Sequence, residues 1–228
     1  MLKAILFDLD NTLIDFMGLK KAACRDSIRA MIKAGLKMKE ADAYRILFEL
    51  YGRYGIEYGR IFQKFVEETT GTTDMKILSA GIVAYRFAQA RNRKPYRNVI
   101  PVLKVLKKKY RLGIVTDAPS LKAWIRLQEL GIADYFDVII TLEGRKMKPN
   151  RLPFMKAVKK LGIKPRDILF VGDQPHRDIK GAKELGMKTA LAEYGIQKIH
   201  RKHMKENKPD FYLKDIKDVL ETAKELDR

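Results

Sequence analysis

Disulfides cannot hold this chain together. Its 228 residues include one cysteine, Cys24, which excludes an internal disulfide framework and makes a reducing cytoplasm the expected setting. Long apolar runs are missing as well. No stretch approaches the roughly 18 apolar residues of a membrane-crossing helix, so no membrane partner is expected. The N-terminal apolar run is broken by Asp8 and Asp10 and lacks the layout of a signal peptide. Internal repeats and low-complexity segments are absent, which argues against solenoids and disordered tracts. Histidine is scarce. Two of the three, His200 and His203, fall in a Lys-rich HRKH stretch with no evident third ligand, so a solvated segment is expected there. His176 reads as a loop histidine. Few Asn and Gln beside abundant charge fit a heat-adapted composition.

Acidic residues are also in deficit. There are 28 Asp plus Glu against 47 Lys plus Arg, a net charge of +19. Such a balance favours anionic partners, whether nucleic acid, phosphorylated metabolites or an acidic surface. The basic residues are dispersed from Lys3 to Arg228, with modest clusters at 107–109 and 198–205. Dispersal describes a solvated Lys-rich surface and argues against nucleic acid.

The apolar fraction, 46%, is enough for a real core. Pattern divides the chain into three parts. Residues 1–14 open with Ala4-Ile5-Leu6-Phe7, a buried-type strand running into polar residues. Residues 15–95 carry only helical spacing, as in Ala22, Ile28, Met31 and Ile32, or Ile61, Phe62, Phe65 and Val66. Cys24 is expected to be buried in the first of these helices. Trp124 and the aromatics Phe48, Tyr51, Tyr54 and Tyr58 are expected to pack, the three tyrosines on one helical face. From 96 to 228 the rhythm alternates. Strands are expected at 112–115, 138–141, 168–171, 189–191 and 211–213, and helices at 99–109, 120–130, 152–161, 178–185 and 215–226. Strand–helix alternation means a parallel sheet covered by helices. The first strand belongs to that sheet, so the helical block is an insertion. The expected fold is α/β, a Rossmann-like parallel sheet core (1–14 and 96–228) with an inserted α-helical cap (15–95).

In open α/β sheets, ligands bind beyond the carboxyl ends of the strands. After Phe7 come Asp8, Asp10 and Thr12. After Val115 come Thr116 and Asp117. After Thr141 come Glu143, Lys146 and Lys148. After Val171 come Asp173 and Asp178. With a side-chain period of two, Asp8 and Asp10 can face one way while Leu9 enters the core. Carboxylates so close repel unless a proton or cation lies between them. A hard ion such as Mg²⁺ suits oxygen ligands. Acids and lysines together fit a phosphate carried with Mg²⁺.

These residues resemble the haloacid dehalogenase-like superfamily. FDLDNT fits its first motif, DxDxT; IVTDA resembles the second; KMKPN resembles the third; LFVGDQPHRD fits the fourth, GDxxxxD. All four occur in order over residues 1 to about 190, and one subgroup carries a helical cap directly after the first motif. The segment 15–18 would then be the hinge into the cap. The resemblance implies Asp8 as nucleophile, taking the phosphoryl group as an aspartyl-phosphate. With an ordinary pKa of about 4 it would be ionised at neutral pH. Asp10 would be the acid and then the base. Thr116 and Asp117 (the latter by its backbone N–H, its side chain turned away) would bind phosphate with Lys148, which also balances charge. Asp8, Asp173, Asp178 and the Asp10 backbone carbonyl would surround Mg²⁺. An acid at Asp10 suits a leaving oxygen, which needs a proton, and not a halide. Pro149 favours Lys148 over Lys146 for the third motif. Asp117, Asn150 and Gln174 depart from the commonest pattern and blur the substrate. The implied activity is Mg²⁺-dependent phosphatase action on a small phosphorylated metabolite, such as a phosphosugar, triose phosphate or phosphoglycolate. A phosphomutase would use the same motifs, and a basic nucleic-acid-binding protein is the reading from another class.

Overall fold

The computed structural model describes residues 1–142, 144 and 146–227. Glu143, which the sequence sets after the third strand, lies outside them. The chain divides into two compact units, Met1–Asp15 with Lys94–Arg228, and Phe16–Arg93.

The first unit opens with β1 (Ala4–Phe7), whose four residues are all buried. A continuous apolar run without alternation marks a strand covered on both faces. The second unit follows as α1 (Phe16–Ala34), α2 (Glu40–Tyr54), α3 (Ile61–Thr70) and α4 (Met75–Asn92). Its core gathers Cys24, Ile28, Met31, Leu47, Leu50, Phe65 and Val66. Gly81 lets α4 approach α1, because a Cβ there would lie 2.0 Å from Met31 Cε. Asp74 caps α4 by accepting from the Ile77 N–H at 3.0 Å, a common N-terminal device. Burial pushes the Cys24 thiol up to about 11, against a smaller opposing pull from Lys20. That is the setting of an inert packing thiol. The tyrosine face is shorter than expected. α2 stops at Tyr54 because Gly55 has φ 93°, so Tyr58 lies outside the helix and stacks on a half-exposed Tyr54 at 5.0 Å.

The first unit resumes with α5 (Val99–Leu106), β2 (Arg111–Pro119), α6 (Ser120–Glu129), β3 (Val138–Leu142), α7 (Arg151–Leu161) and β4 (Ile168–Gly172). One π-helical turn, Pro175–Ile179, leads into the short α8 (Lys180–Lys183) where a plain helix over 178–185 is expected. β5 (Lys188–Ala192), β6 (Phe211–Leu213) and α9 (Val219–Glu225) complete it. Trp124 is 43% exposed on α6, which corrects its expected packing role. The buried residues of that helix are Ala123, Arg126 and Leu127.

The six strands are all parallel in the order β3-β2-β1-β4-β5-β6. This is the doubly wound Rossmann-like order, whose direction reverses between β1 and β4. Crossovers leave that junction in opposite directions and open a crevice at the strand ends. β2 runs past its expected end at Val115. Its register against β3 shifts between Val115 and Pro119, so Thr116, Asp117 and Ala118 sit in a bulged stretch. Such irregularities re-aim side chains.

Candidate active site

Asp8 follows β1 and Asp173 follows β4, the two strands at the reversal. Both are buried, as is Asp178 from the π-helical turn. One ligand atom from each of the three lies within 4.8 Å of the others, the one such group of three among the described residues. Asp173 is fully buried, and neither of its carboxylate oxygens has a hydrogen-bond partner among the described residues. An uncompensated carboxylate in the interior is costly. That orphaned pair, beside two further acids, is what a hard divalent cation would satisfy. The donor set therefore fits a metal. The Asp10 carboxylate is not one of the three.

Lys148 is the positive member of the cluster. Its Nζ donates to Asp8 Oδ1 at 2.6 Å and to the Val115 carbonyl at 3.0 Å. It also lies 2.7 Å from Asp178 Oδ1, close enough for an ion pair but outside hydrogen-bond geometry. Lys146 is exposed, so the structure brings Lys148 alone of the two into the cluster. Burial by itself would lower the Lys148 ammonium. The carboxylates Asp178, Asp8 and Asp117 outweigh it and hold the group above its ordinary value.

The acids respond in the other direction. Burial raises Asp8, Lys148 opposes, Asp178 and Asp10 add to the rise, and the group is pushed up to about 7. Asp173 is raised well above its ordinary value, first by burial and then by Asp178 and Asp8. This corrects the expectation of an ordinary, ionised Asp8. The protein groups alone leave it able to hold a proton near neutrality, because one lysine faces several buried carboxylates.

The surrounding loops lock these groups. Thr12 Oγ1 donates to Asp8 Oδ2 at 3.4 Å. Thr116 is buried, and its Oγ1 accepts from the Ala118 N–H at 3.2 Å, which leaves the hydroxyl proton to donate elsewhere. The Asp117 side chain turns to the Lys148 loop. Its Oδ1 accepts from the Lys148 N–H at 2.9 Å, and its Oδ2 pairs with Arg177. Arg177 Nε in turn donates to the Lys148 carbonyl at 3.1 Å. Both polar groups of the Lys148 peptide are thus held by one ion pair. Asn150 caps α7 by accepting from the Leu152 N–H at 2.9 Å. Gln174 donates its backbone N–H to Asp178 Oδ2 at 2.9 Å.

Two arginines escaped the sequence reading. Arg177 lies within the fourth motif, but nothing in the sequence separates it from the other basic residues. Arg126 Nη1 donates to Asp10 Oδ2 at 2.7 Å, with the Arg126 side chain 8% exposed. Its signal was available, since Arg126 shares the helical face of Ala123, Leu127 and Leu130. Apolar Trp124 and Ile125 alongside obscured which face is inward. The histidines also depart from expectation. His176 stacks against His200 at 5.1 Å and His203 at 4.4 Å, so the two histidines of HRKH are partly buried while Arg201 and Lys202 between them stay exposed. Burial, then His176, Arg177 and His203, hold the His200 imidazole down to about 4.

Gly172 has a defined reason at the end of β4. A Cβ there would lie 2.5 Å from Asp178 Cγ and Oδ2. Gly172→Ala is expected to push Asp178 away from Lys148 and to destabilise the protein by ~1–3 kcal/mol, the usual cost of overpacking. Thermal melts and metal titrations of the variant check this. An unchanged melting temperature with unchanged metal affinity would contradict the close packing of Gly172 on Asp178.

Comparison with known proteins agrees with the geometry. Residues 2–186 match the family model for haloacid dehalogenase-like hydrolases. The chain is similar to the glyceraldehyde 3-phosphate phosphatase of Methanopyrus kandleri, 36% identical over 99% of both chains. It is similar to that of Methanocaldococcus jannaschii at 34%, again over 99% of both. Among solved structures it resembles a HAD phosphatase from Thermococcus onnurineus, with TM-score 0.69, 25% identity and coverage of 97% of this chain and 98% of that one.

Proposed function

The chain belongs to the haloacid dehalogenase-like hydrolases, and we propose that it is a Mg²⁺-dependent phosphatase whose substrate is glyceraldehyde 3-phosphate. The observation that carries the chemistry is the buried triad Asp8, Asp173 and Asp178 with Lys148 against it. The substrate rests on the relatives that carry that activity in their names at 34% and 36% identity over nearly their whole length.

Asp8 attacks the phosphorus, and the bond to the leaving alcohol breaks. Asp10 gives its proton to the departing oxygen. The aspartyl-phosphate on Asp8 is then cleaved by water, whose proton Asp10 takes. Thr116 donates its hydroxyl to a phosphoryl oxygen. Lys148 offsets charge on Asp8 and on the transferring group, the main electrostatic demand of phosphoryl transfer. The clamp of Asp117 and Arg177 on the Lys148 peptide keeps that ammonium in place. Asp8 and Asp173 would hold Mg²⁺, with Asp178 and the Asp10 backbone carbonyl supporting, and the ion would supply positive charge toward the phosphoryl oxygens.

The test is phosphate release from glyceraldehyde 3-phosphate, phosphoglycolate and glucose 6-phosphate, each with Mg²⁺ and with EDTA. Expected is hydrolysis that EDTA stops and Mg²⁺ restores, with kcat/KM highest for the triose phosphate. Hydrolysis that persists in EDTA would remove the metal from the reading. A preference for another ester would remove the substrate and keep the chemistry.

A further inference from the structure

Arg126 is a buried cation that the chemistry above does not use. It lies on α6, on the face that Ala123 and Leu127 present to the core. A guanidinium does not give up its proton in a protein, so its burial demands an anion. Asp10 is such an anion, bonded through Oδ2 at 2.7 Å, with side-chain exposures of 8% for Arg126 and 20% for Asp10. Stability does not account for the pair. Replacing a buried ion pair by packed apolar residues is often neutral or stabilising, because desolvation offsets the Coulomb gain. On an otherwise apolar face, a leucine or methionine would serve packing as well.

We propose that Arg126 is a positioning residue that sets Asp10 for proton transfer to the leaving oxygen. The inference rests on the reading of Asp10 as the acid. Arginine is a donor only. With a guanidinium N–H on Oδ2, that oxygen is the acceptor, and the transferable proton belongs on Oδ1. The bond also restrains the carboxyl plane. Proton transfer depends on placement within hydrogen-bond reach, and a 1 Å misplacement costs on the order of 10²-fold. Asp10 sits beyond β1 in a stretch whose fixed backbone bridge is to Ile14. A charged partner from α6 adds side-chain restraint to a residue that no strand holds.

The test exploits the leaving group. p-Nitrophenolate departs readily without a proton, whereas phenolate, whose conjugate acid has a pKa of about 10, depends on the acid. The two esters differ little in shape. We would measure kcat/KM for p-nitrophenyl phosphate and phenyl phosphate with wild type, Arg126→Gln, Arg126→Lys and Asp10→Asn. Arg126→Gln should lose ~10–100-fold on phenyl phosphate and less than about threefold on p-nitrophenyl phosphate, while Arg126→Lys recovers part of the loss. The ratio of the two values does not depend on how much of a variant folds. Equal losses on both esters, or no loss, in Arg126→Gln would overturn the inference if Asp10→Asn still discriminates between them. If Asp10→Asn fails to discriminate, the acid reading of Asp10 falls first and the inference with it.

Discussion

Asp8→Asn should lower kcat on p-nitrophenyl phosphate by at least about 10⁴-fold at saturating Mg²⁺, the scale seen when a covalent nucleophile is removed. The amide has nearly the same shape, so packing is kept, but it carries no charge and does not attack phosphorus. Lys148 loses one anionic partner at 2.6 Å and retains Asp178 at 2.7 Å, so the lysine stays in the cluster. The fold should therefore survive, and circular dichroism would check it. Acid-quenched wild type incubated with labelled phosphate ester should carry a hydroxylamine-labile phosphate that the variant lacks. A folded Asp8→Asn protein within tenfold of wild type would end the aspartyl-phosphate reading.

Asp173→Asn should make the protein more stable in EDTA while abolishing its response to Mg²⁺. Both oxygens of Asp173 are buried without hydrogen-bond partners among the described residues, and burial with two neighbouring acids raises it well above its ordinary value. Neutralising it removes a repulsive charge. A gain of ~1–3 kcal/mol, the scale of one unsatisfied buried group, corresponds to a rise in Tm of roughly 2–4 °C per kcal/mol for a chain of this size. For wild type, Mg²⁺ at 100 times its Kd should add about 2.7 kcal/mol, and for the variant almost nothing. The pH dependence follows with the same sign. Asp8 is raised from 3.8 to about 7 on folding, so the folded protein binds its proton more tightly than the unfolded chain. That contribution is fully present below pH 4 and is lost as pH rises through about 7. In EDTA, wild type should lose stability over this window, and Asp173→Asn should lose less. Binding a cation at the carboxylates should release protons across the same range. An EDTA melting curve in which Asp173→Asn is less stable than wild type at pH 7 would contradict the uncompensated charge.

The resemblance of four ordered motifs already pointed to Asp8, Asp10, Thr116, Lys148, Asp173 and Asp178, and the order of strands and helices was legible from periodicity. Local chemistry explains both. An unbroken apolar run such as Ala4–Phe7 has few alternatives to a covered strand, and polar residues directly after such runs mark the strand ends. What sequence could not supply was distance. Whether Lys146 or Lys148 enters the cluster depends on the path of the loop after β3, which the Asp117 and Arg177 contacts set. The state of Asp8 depends on how many acids share its buried volume, a property of β1 and β4 lying side by side. Trp124 is exposed against expectation and Arg126, for which sequence offered no reading, is buried, because the packing face of α6 follows from where β2 and β3 run, not from side-chain polarity. By itself, then, the sequence determined the fold class and the ordered set of chemical groups, since both are written in local pattern. Tertiary structure alone decided which groups meet, which are left with unmet charge, and which arginine holds the acid, because those follow from contacts between segments 29 to 140 residues apart.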